Sequence, residues 1–375
     1  MRFVLVAGFA DSLLRFRGHL IAAVQARGIE VHVAAPGLPP GNSLRDRLEG
    51  QGVVVHDMPL GRTGLNPLAD LRSLLFLLSL MRRVRPDMVL GYTIKPVIYG
   101  TLAATLAGVP RRFALITGLG HAFQERQEGG WLRALVQKLY GVALRGAHKV
   151  FFQNPDDEAL FRQLGLVGPG TGTIVVNGSG VDVSEYTAAP VPEEHSFLLI
   201  ARLLGDKGVR EYADAARRIK QLHPATRFRL VGWIDDNPNS IRQSELDAWT
   251  GEGTLEHLGR LNDVRPAIAQ SSVFVLPSYY REGTPRTVLE AMAMGRAIIT
   301  TDMPGCRETV VNSENGYLVP PRSVDALVGA MLQFVEKPGL ASAMGRRSRQ
   351  IAENKYDVHA VNAVMLGEMG LGSSV

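Results

Sequence analysis

Val273-Phe-Val-Leu-Pro-Ser-Tyr-Tyr-Arg-Glu-Gly-Thr-Pro-Arg-Thr-Val-Leu-Glu-Ala-Met-Ala-Met-Gly295 reads as a strand, a loop and a helix. Val273–Leu276 is a short, wholly apolar run, the pattern of a strand buried on both faces of a parallel sheet. Thr284 is placed to cap a helix, with Pro285 at its first position, where a missing N–H costs nothing. Gly295 marks its C-terminal stop. Glu282 then stands in the loop at the carboxyl end of the strand. Glu290 lies on the helix, roughly 7–8 Å along its axis from Pro285 at 1.5 Å per residue. The opening of such a helix presents backbone N–H groups and the positive end of its dipole, a natural anion site. Two carboxylates around that site suit a ligand with hydroxyls at both ends and phosphates between. Carboxylates in these two places are common in α/β proteins, so the rest of the chain must decide.

Working outward, the same rhythm recurs. Arg2–Ala7 is a strand, residues 16–27 a helix and Ile29–Ala35 a second strand, a βαβ unit that implies a parallel sheet. Further strands are predicted at 53–56, 86–92, 112–117 and 149–154, with helices at 44–51, 67–84, 131–146 and from about Pro96. Ala188-Ala-Pro-Val-Pro-Glu-Glu194 is a proline-bearing joint, after which the alternation restarts. Strands are predicted at 196–200, 227–231, 255–258, 273–276 and 297–301. The expected fold class is α/β, with two Rossmann-like parallel-sheet domains facing across a cleft. Their bounds are 1–188 and 189–354, with a C-terminal helix, 355–375, that could reach back to the first domain.

Composition narrows the class. A chain of 375 residues with 46% hydrophobic content supports two packed cores. The single cysteine, Cys306, excludes an internal disulfide framework and fits a reducing compartment. The first apolar run meets Asp11 and Arg15 too soon for a signal core, and no run approaches a membrane span. A cytoplasmic protein is expected. Charge is uneven: residues 1–150 carry 19 Lys and Arg against 9 Asp and Glu, net +10, and the remainder 22 against 27, net −5. The basic half suits an anionic lipid surface or phosphorylated substrates. No nucleic-acid motif accompanies it, so nucleic acid is not an expected partner. The helix at 67–84 sets Arg72, Arg82 and Arg83 beside Leu74, Leu75, Phe76, Leu78 and Leu80, and could lie on a membrane. Its apolar residues would serve an interior face equally well.

Ligand residues concentrate at predicted strand ends. Arg202 and Lys207, in Ile200-Ala-Arg-Leu-Leu-Gly-Asp-Lys-Gly208, follow the first strand of the second domain and could neutralise a diphosphate. Gly232 permits close backbone approach after the next strand. Leu258 and Leu261, in His257-Leu-Gly-Arg-Leu261, could border a flat base. Asp235-Asp236 falls in a loop and reads as polar surface. In the first domain Gly8, Arg17 and Lys95 are candidates for an acceptor. His121, in Gly118-Leu-Gly-His-Ala-Phe123, could bond a sugar hydroxyl or stabilise charge. The loop at Gly8 lacks G-x-G-x-x-G, so no dinucleotide cofactor is expected there.

The Arg202/Lys207 pair, the E-x7-E of Glu282 and Glu290, and Ile298-Ile-Thr-Thr-Asp-Met-Pro-Gly-Cys-Arg-Glu-Thr-Val310 with Asn315-Gly-Tyr-Leu-Val-Pro320 closely resemble the family-4 retaining glycosyltransferases. The resemblance is dense from about 174 to 321. It implies a GT-B fold, with a nucleotide sugar on the C-terminal domain and the acceptor mainly on the N-terminal one. It implies that Arg202, Lys207 and the backbone at Thr284, Pro285 and Arg286 hold the donor diphosphate. Glu282 is then on the transferred sugar and Glu290 on the ribose. His121 looks like the N-domain histidine found near the donor sugar. Gly91-Tyr-Thr-Ile-Lys-Pro-Val-Ile-Tyr-Gly100 and Ile116–Phe123 resemble bacterial enzymes that extend undecaprenyl-diphosphate-linked glycans. A UDP-sugar donor, a lipid-linked acceptor and peripheral attachment to the inner face of the membrane are the implied partners and place. No Asp-x-Asp clamp is apparent, so no metal and no cofactor is expected. The competing readings are a nucleotide-sugar epimerase of the same fold and an inactive nucleotide-sugar-binding protein.

Overall fold

The computed structural model of the chain describes residues 1–61, 66–119, 130–235 and 237–372. The chain forms two compact units, Met1–Ser179 with His359–Val375, and Gly180–Val358.

Among the described residues of the first unit, the strands are β1 (Arg2–Val6), β2 (Glu30–Ala35), β3 (Val54–Asp57), β4 (Met88–Tyr92), β5 (Arg111–Ile116), β6 (Lys149–Phe152) and β7 (Gly172–Val175). They form one parallel sheet in the order β3-β2-β1-β4-β5-β6-β7. Side chains alternate across it: Val4 and Val6 enter the core on one face, Phe3 and Leu5 that on the other. Helices cover both faces, as apolar strands require. The helix Pro67–Val84 begins where it does because the Asn66 side chain accepts the Ala69 N–H at 3.2 Å and Pro67 follows at the first position. The helix Asp11–Gln25 starts earlier than its periodicity indicates, so the segment expected as a loop is partly helical.

The second unit contains β8 (Ser196–Ile200), β9 (Arg227–Val231), β10 (Glu256–His257), β11 (Val273–Leu276), β12 (Ala297–Thr301) and β13 (Gly316–Val319). Their order is β10-β9-β8-β11-β12-β13, again parallel. In each sheet the order reverses at one point, between β1 and β4 and between β8 and β11. The loops leaving the carboxyl ends of those pairs diverge and leave room for a ligand.

The chain passes between units at Gly180 and Val358. Val181 N–H donates to Tyr356 O at 2.8 Å and Val358 N–H to Val181 O at 3.0 Å. A Cβ on Gly180, which has φ +70, would lie 2.6 Å from Val358 Cα, so only glycine fits that crossing. The proline-bearing segment near 190, read as a joint, is fastened to the second unit instead. The fully buried Arg296 guanidinium donates to Ala189 O at 2.9 Å and Pro190 O at 3.1 Å. Past Val358 the helix Val358–Glu368 belongs to the first unit from His359 on. It buries Met365 and Leu366 in that unit's core, Met369 follows them there from the turn beyond the helix, and Arg27 donates to Leu371 O at 2.7 Å.

Candidate active site

The segments leaving β8 and β11 are stitched together by backbone. The carbonyl of Asp206 accepts N–H groups from Tyr279 at 2.9 Å and Tyr280 at 3.2 Å, and the Ser278 hydroxyl at 3.2 Å. Gly208, at φ +75, lies so close to β11's end that a Cβ would meet Pro277 O at 2.2 Å. This brings Lys207 onto Glu282, 75 residues away in sequence, as an ion pair. Their side chains are 14% and 12% exposed. The Lys207 ammonium also lies 5.1 Å from the Tyr280 ring centroid. Ser278, fully buried, donates to Glu282 Oε1 at 3.0 Å. Thr301 Oγ1 holds the Ser278 carbonyl from β12. Behind the loop, Gly305 stands at φ +85, and a Cβ there would meet Gly283 O at 2.2 Å and Glu282 O at 2.5 Å.

The next helix runs Arg286–Ala293. Its cap is Pro285, not Thr284: Pro285 is extended, φ −70 and ψ 113, and its carbonyl receives Val288 N–H at 3.1 Å. A proline cap has no side-chain oxygen to offer, so the expected threonine cap does not form. The helix still directs its N-terminus at the loop bearing Glu282. Glu290, 7% exposed, accepts from Arg286 Nε at 2.8 Å and from Tyr186 Oη at 3.2 Å. Burial raises the Glu290 pKa above the usual carboxylate value, with Arg286 opposing. Arg286, assigned from sequence to the diphosphate, thus places its guanidinium on Glu290.

Arg202 stands beyond β8 and donates to Asp235 Oδ2 at 3.1 Å. Asp235 is therefore a partner of the site, whereas its sequence reads as polar surface; Asp236 lies outside the described residues. Burial raises the Asp235 pKa. The Asn237 N–H, Arg202 and Ser240 outweigh it and hold the carboxyl below its ordinary value. Gly232 N–H donates to Gly259 O at 2.9 Å, and a Cβ on Gly232 would meet Ala201 O at 2.0 Å. His257 Nε2 faces Gly232 O at 3.0 Å. Leu258 is partly exposed and Leu261 half-buried. The loops after β8, β9, β10 and β11 thus meet at one sheet edge. Together they offer two cations, a helix N-terminus, a buried carboxylate and an apolar rim.

In the first unit Gly8 follows β1 and Lys95 follows β4, the strands flanking that sheet's reversal. A Cβ on Gly8 would meet Thr93 Oγ1 at 2.8 Å. Lys95 Nζ donates to Asp70 Oδ1 at 2.8 Å. Arg17 is on the helix Asp11–Gln25 rather than in a loop. It is 2% exposed, with its guanidinium 5.2 Å from the Tyr92 ring centroid. The Tyr92 hydroxyl shares a hydrogen bond with Ser12 at 2.7 Å. Burial pushes the phenol up to about 12, with Ser12 and Arg17 opposing. His121 lies outside the described residues.

Two parallel-sheet domains of this order are the GT-B architecture. The family descriptions agree: "Glycosyl transferase 4-like domain" matches residues 15–178 and "Glycosyl transferases group 1" matches residues 194–337. The chain belongs to this glycosyltransferase family. It is 29% identical to the N,N'-diacetylbacillosaminyl-diphospho-undecaprenol alpha-1,3-N-acetylgalactosaminyltransferase of Campylobacter jejuni, over 96% of each chain. It is 26% identical to the UDP-Gal:alpha-D-GlcNAc-diphosphoundecaprenol alpha-1,3-galactosyltransferase of Escherichia coli, over 77% of this chain and 76% of that one. The fold is shared with sucrose-phosphate synthase from Thermosynechococcus elongatus (TM-score 0.82, 17% identity, 99% and 98% of the chains). It is also shared with Anabaena Alr3699/HepE in complex with UDP (TM-score 0.78, 18% identity, 99% and 100%).

Proposed function

We propose that this glycosyltransferase moves a hexose or N-acetylhexosamine from a UDP-sugar to a lipid-diphosphate-linked sugar, with retention at the anomeric carbon, during assembly of a surface glycan. The observation that carries the reading is the pairing of Lys207 with Glu282 at the reversal of the second sheet, with Arg202 in the same segment after β8 and Glu290 on the adjoining helix. The relatives' acceptors, both undecaprenol diphosphates carrying a sugar, support the acceptor class. The printed UDP-Gal donor of one relative supports UDP.

As the glycosidic bond to the diphosphate breaks, negative charge collects on the leaving phosphate. Arg202, Lys207 and the N-terminus of the helix Arg286–Ala293, with the backbone at Thr284 and Pro285, stabilise that charge. These groups take the part a metal would otherwise play. Lys207 has three N–H donors, so it can keep Glu282 and reach a phosphate oxygen at once. Glu282 is the hydroxyl-binding carboxylate for the transferred sugar, and Glu290 binds the ribose hydroxyls. Gly232, Leu258 and Leu261 border the base. The acceptor hydroxyl attacks from the face the diphosphate leaves, so no covalent sugar intermediate on Glu282 is required. Gly8 and Lys95 serve the acceptor, and the enzyme works at the cytoplasmic surface of a membrane.

The test is a set of radiolabelled UDP-sugars incubated with the full chain and undecaprenyl-diphosphate-linked sugars. Label moving into the organic phase with one donor is the expected result. Isomerisation of a UDP-sugar without acceptor would replace the reading with an epimerase. Binding of UDP-sugar with no turnover on any acceptor would replace it with a binding protein.

A further inference from the structure

Arg349 clamps the segment 183–186 to the helix that carries Glu290. Its guanidinium, on the helix Leu340–Ile351, donates to Val183 O at 3.0 Å and Tyr186 O at 2.7 Å. It also donates to Ala293 O at 2.6 Å, at the end of the helix Arg286–Ala293. The segment is folded by its own side chains as well. Asp182 Oδ1 accepts the N–H groups of Ser184 at 2.9 Å and Glu185 at 3.1 Å, and the Ser184 hydroxyl at 2.6 Å. Tyr186 N–H closes the turn onto Asp182 O at 2.9 Å. The half-buried Tyr186 ring is thereby held against the core that contains Leu289 and Ala291, with its hydroxyl at Glu290.

Glu290 takes both of its hydrogen bonds on one oxygen. The Tyr186 hydroxyl and Arg286 Nε donate to Oε1 at 3.2 and 2.8 Å, and among the described residues no donor reaches Oε2. Arg286 sits one turn away on the same helix, and the terminal bond of a glutamate side chain turns easily. A second donor, from a separate segment, fixes which oxygen faces the protein. Phenylalanine would fill the same space and leave that undone.

We infer that Tyr186 is a positioning residue of the donor site: it pins Oε1 of Glu290 so that Oε2 is turned to the hydroxyls of a nucleotide's ribose. The inference rests on the ribose role proposed above for Glu290. A hydroxyl that donates to a carboxylate also favours its charged form. Around Glu290, Arg286 and Tyr186 favour that form, while burial and the Glu185 charge oppose it. Arg265, 6.0 Å from the Tyr186 ring centroid, is engaged by Asp263 at 2.9 Å and Glu185 at 3.8 Å. Removing the Tyr186 hydroxyl therefore makes Glu290 take its proton at a higher pH.

The experiment is isothermal titration of the full chain and its variants with UDP, from mildly acidic to neutral pH. GDP and ADP are titrated alongside, because the ribose is common to all three. Tyr186→Phe should weaken binding about tenfold, the loss expected with one hydrogen bond to a charged group. Its affinity should fall away on the acid side at a higher pH than that of wild type. Neither change should appear when Tyr186→Phe is added to Glu290→Gln, or when the ligand is the 2′,3′-dideoxy form of the nucleotide. The ring keeps its packing, so thermal melts report a folding defect separately. Tyr186→Phe that binds as wild type does, while Glu290→Gln binds weakly, would overturn the inference and leave the ribose role standing. So would an equal loss in the Glu290→Gln background. Glu290→Gln that binds as wild type does would overturn the ribose role itself and the inference with it, as would wild type that binds none of the three nucleotides.

Discussion

Lys207 and Glu282 pair at the point where the second sheet reverses, one supplied by the loop after β8 and the other by the loop after β11. The pair is mostly withdrawn from water, where charge-assisted hydrogen bonds count for more. Glu282→Gln keeps the shape and removes the charge. It is expected to lower kcat by about 10²–10³, the range for losing one group that stabilises a transition state. Lys207→Ala should raise the donor KM as well, through lost contact with the diphosphate. In the double variant the effects should fall well short of the product of the singles, because each single strands its partner. Steady-state kinetics with varied donor measures all three.

Ser278 should act by positioning. Its one hydroxyl proton serves either Glu282 Oε1 or the Asp206 carbonyl, and the latter retains two backbone N–H donors without it. Ser278→Ala is expected to lower kcat about tenfold to a hundredfold, since a hydrogen bond to a charged group is worth about 1.5–3 kcal/mol. Donor KM and the melting temperature should move little. A change confined to the melting temperature would mark the serine as merely structural.

Gly305 sets the backbone under the catalytic loop. A Cβ at φ +85 is strained, and it would also displace the carbonyls of Glu282 and Gly283. Gly305→Ala should cost about 10² or more in kcat, because Glu282 moves with its backbone. The matched control is Gly329→Ala, whose Cβ meets nothing within 4 Å. Activity of that control should equal wild type.

Glu290 gives the donor site a pH dependence. Burial raises its pKa above 4.5, so as pH falls it takes a proton earlier than an ordinary glutamate. The neutral form is the poorer acceptor for ribose hydroxyls. Donor affinity should therefore decline on the acid side, beginning above pH 4.5, while Glu290→Gln binds more weakly and stays flat there. Isothermal titration of UDP against both proteins across that range measures it.

Cys306 lies next to Gly305, fully buried, and burial together with the Glu282 charge pushes its thiol up to about 12. The thiolate is the reactive form, so it should resist alkylating agents near neutral pH while the fold is intact. Labelling should appear only on denaturation. Rapid labelling of the native protein would contradict the packing around the catalytic loop.

Much of this was legible because the chemistry is local. Continuous apolar runs in β1 and β8 mark buried parallel strands, and Asn66-Pro67 marks the start of a helix. Other features depend on neighbours remote in sequence. β7 and β13 are four-residue edge strands, too short to show a period, and Gly316 suits its place because a Cβ would meet Ile298 O at 1.8 Å. The helices Pro155–Gln163, Val324–Glu336 and Leu340–Ile351 are not among the elements predicted from sequence. Asp235 reads as surface until folding sets it against Arg202, and Tyr186 shows no tie to Glu290, 104 positions away. Thr284 had the right chemistry for a cap, but the proline after it took the position.

The most direct measurement is the anomeric configuration of the product. A UDP-α-sugar and a water-soluble acceptor are incubated with the intact chain, and the new linkage is read by proton NMR. An α-linkage, abolished or nearly so by Glu282→Ala, is expected if Lys207 and Arg202 hold the leaving diphosphate on the face that the acceptor attacks. A β-linkage would contradict it, because the acceptor would then have attacked from the side opposite these residues.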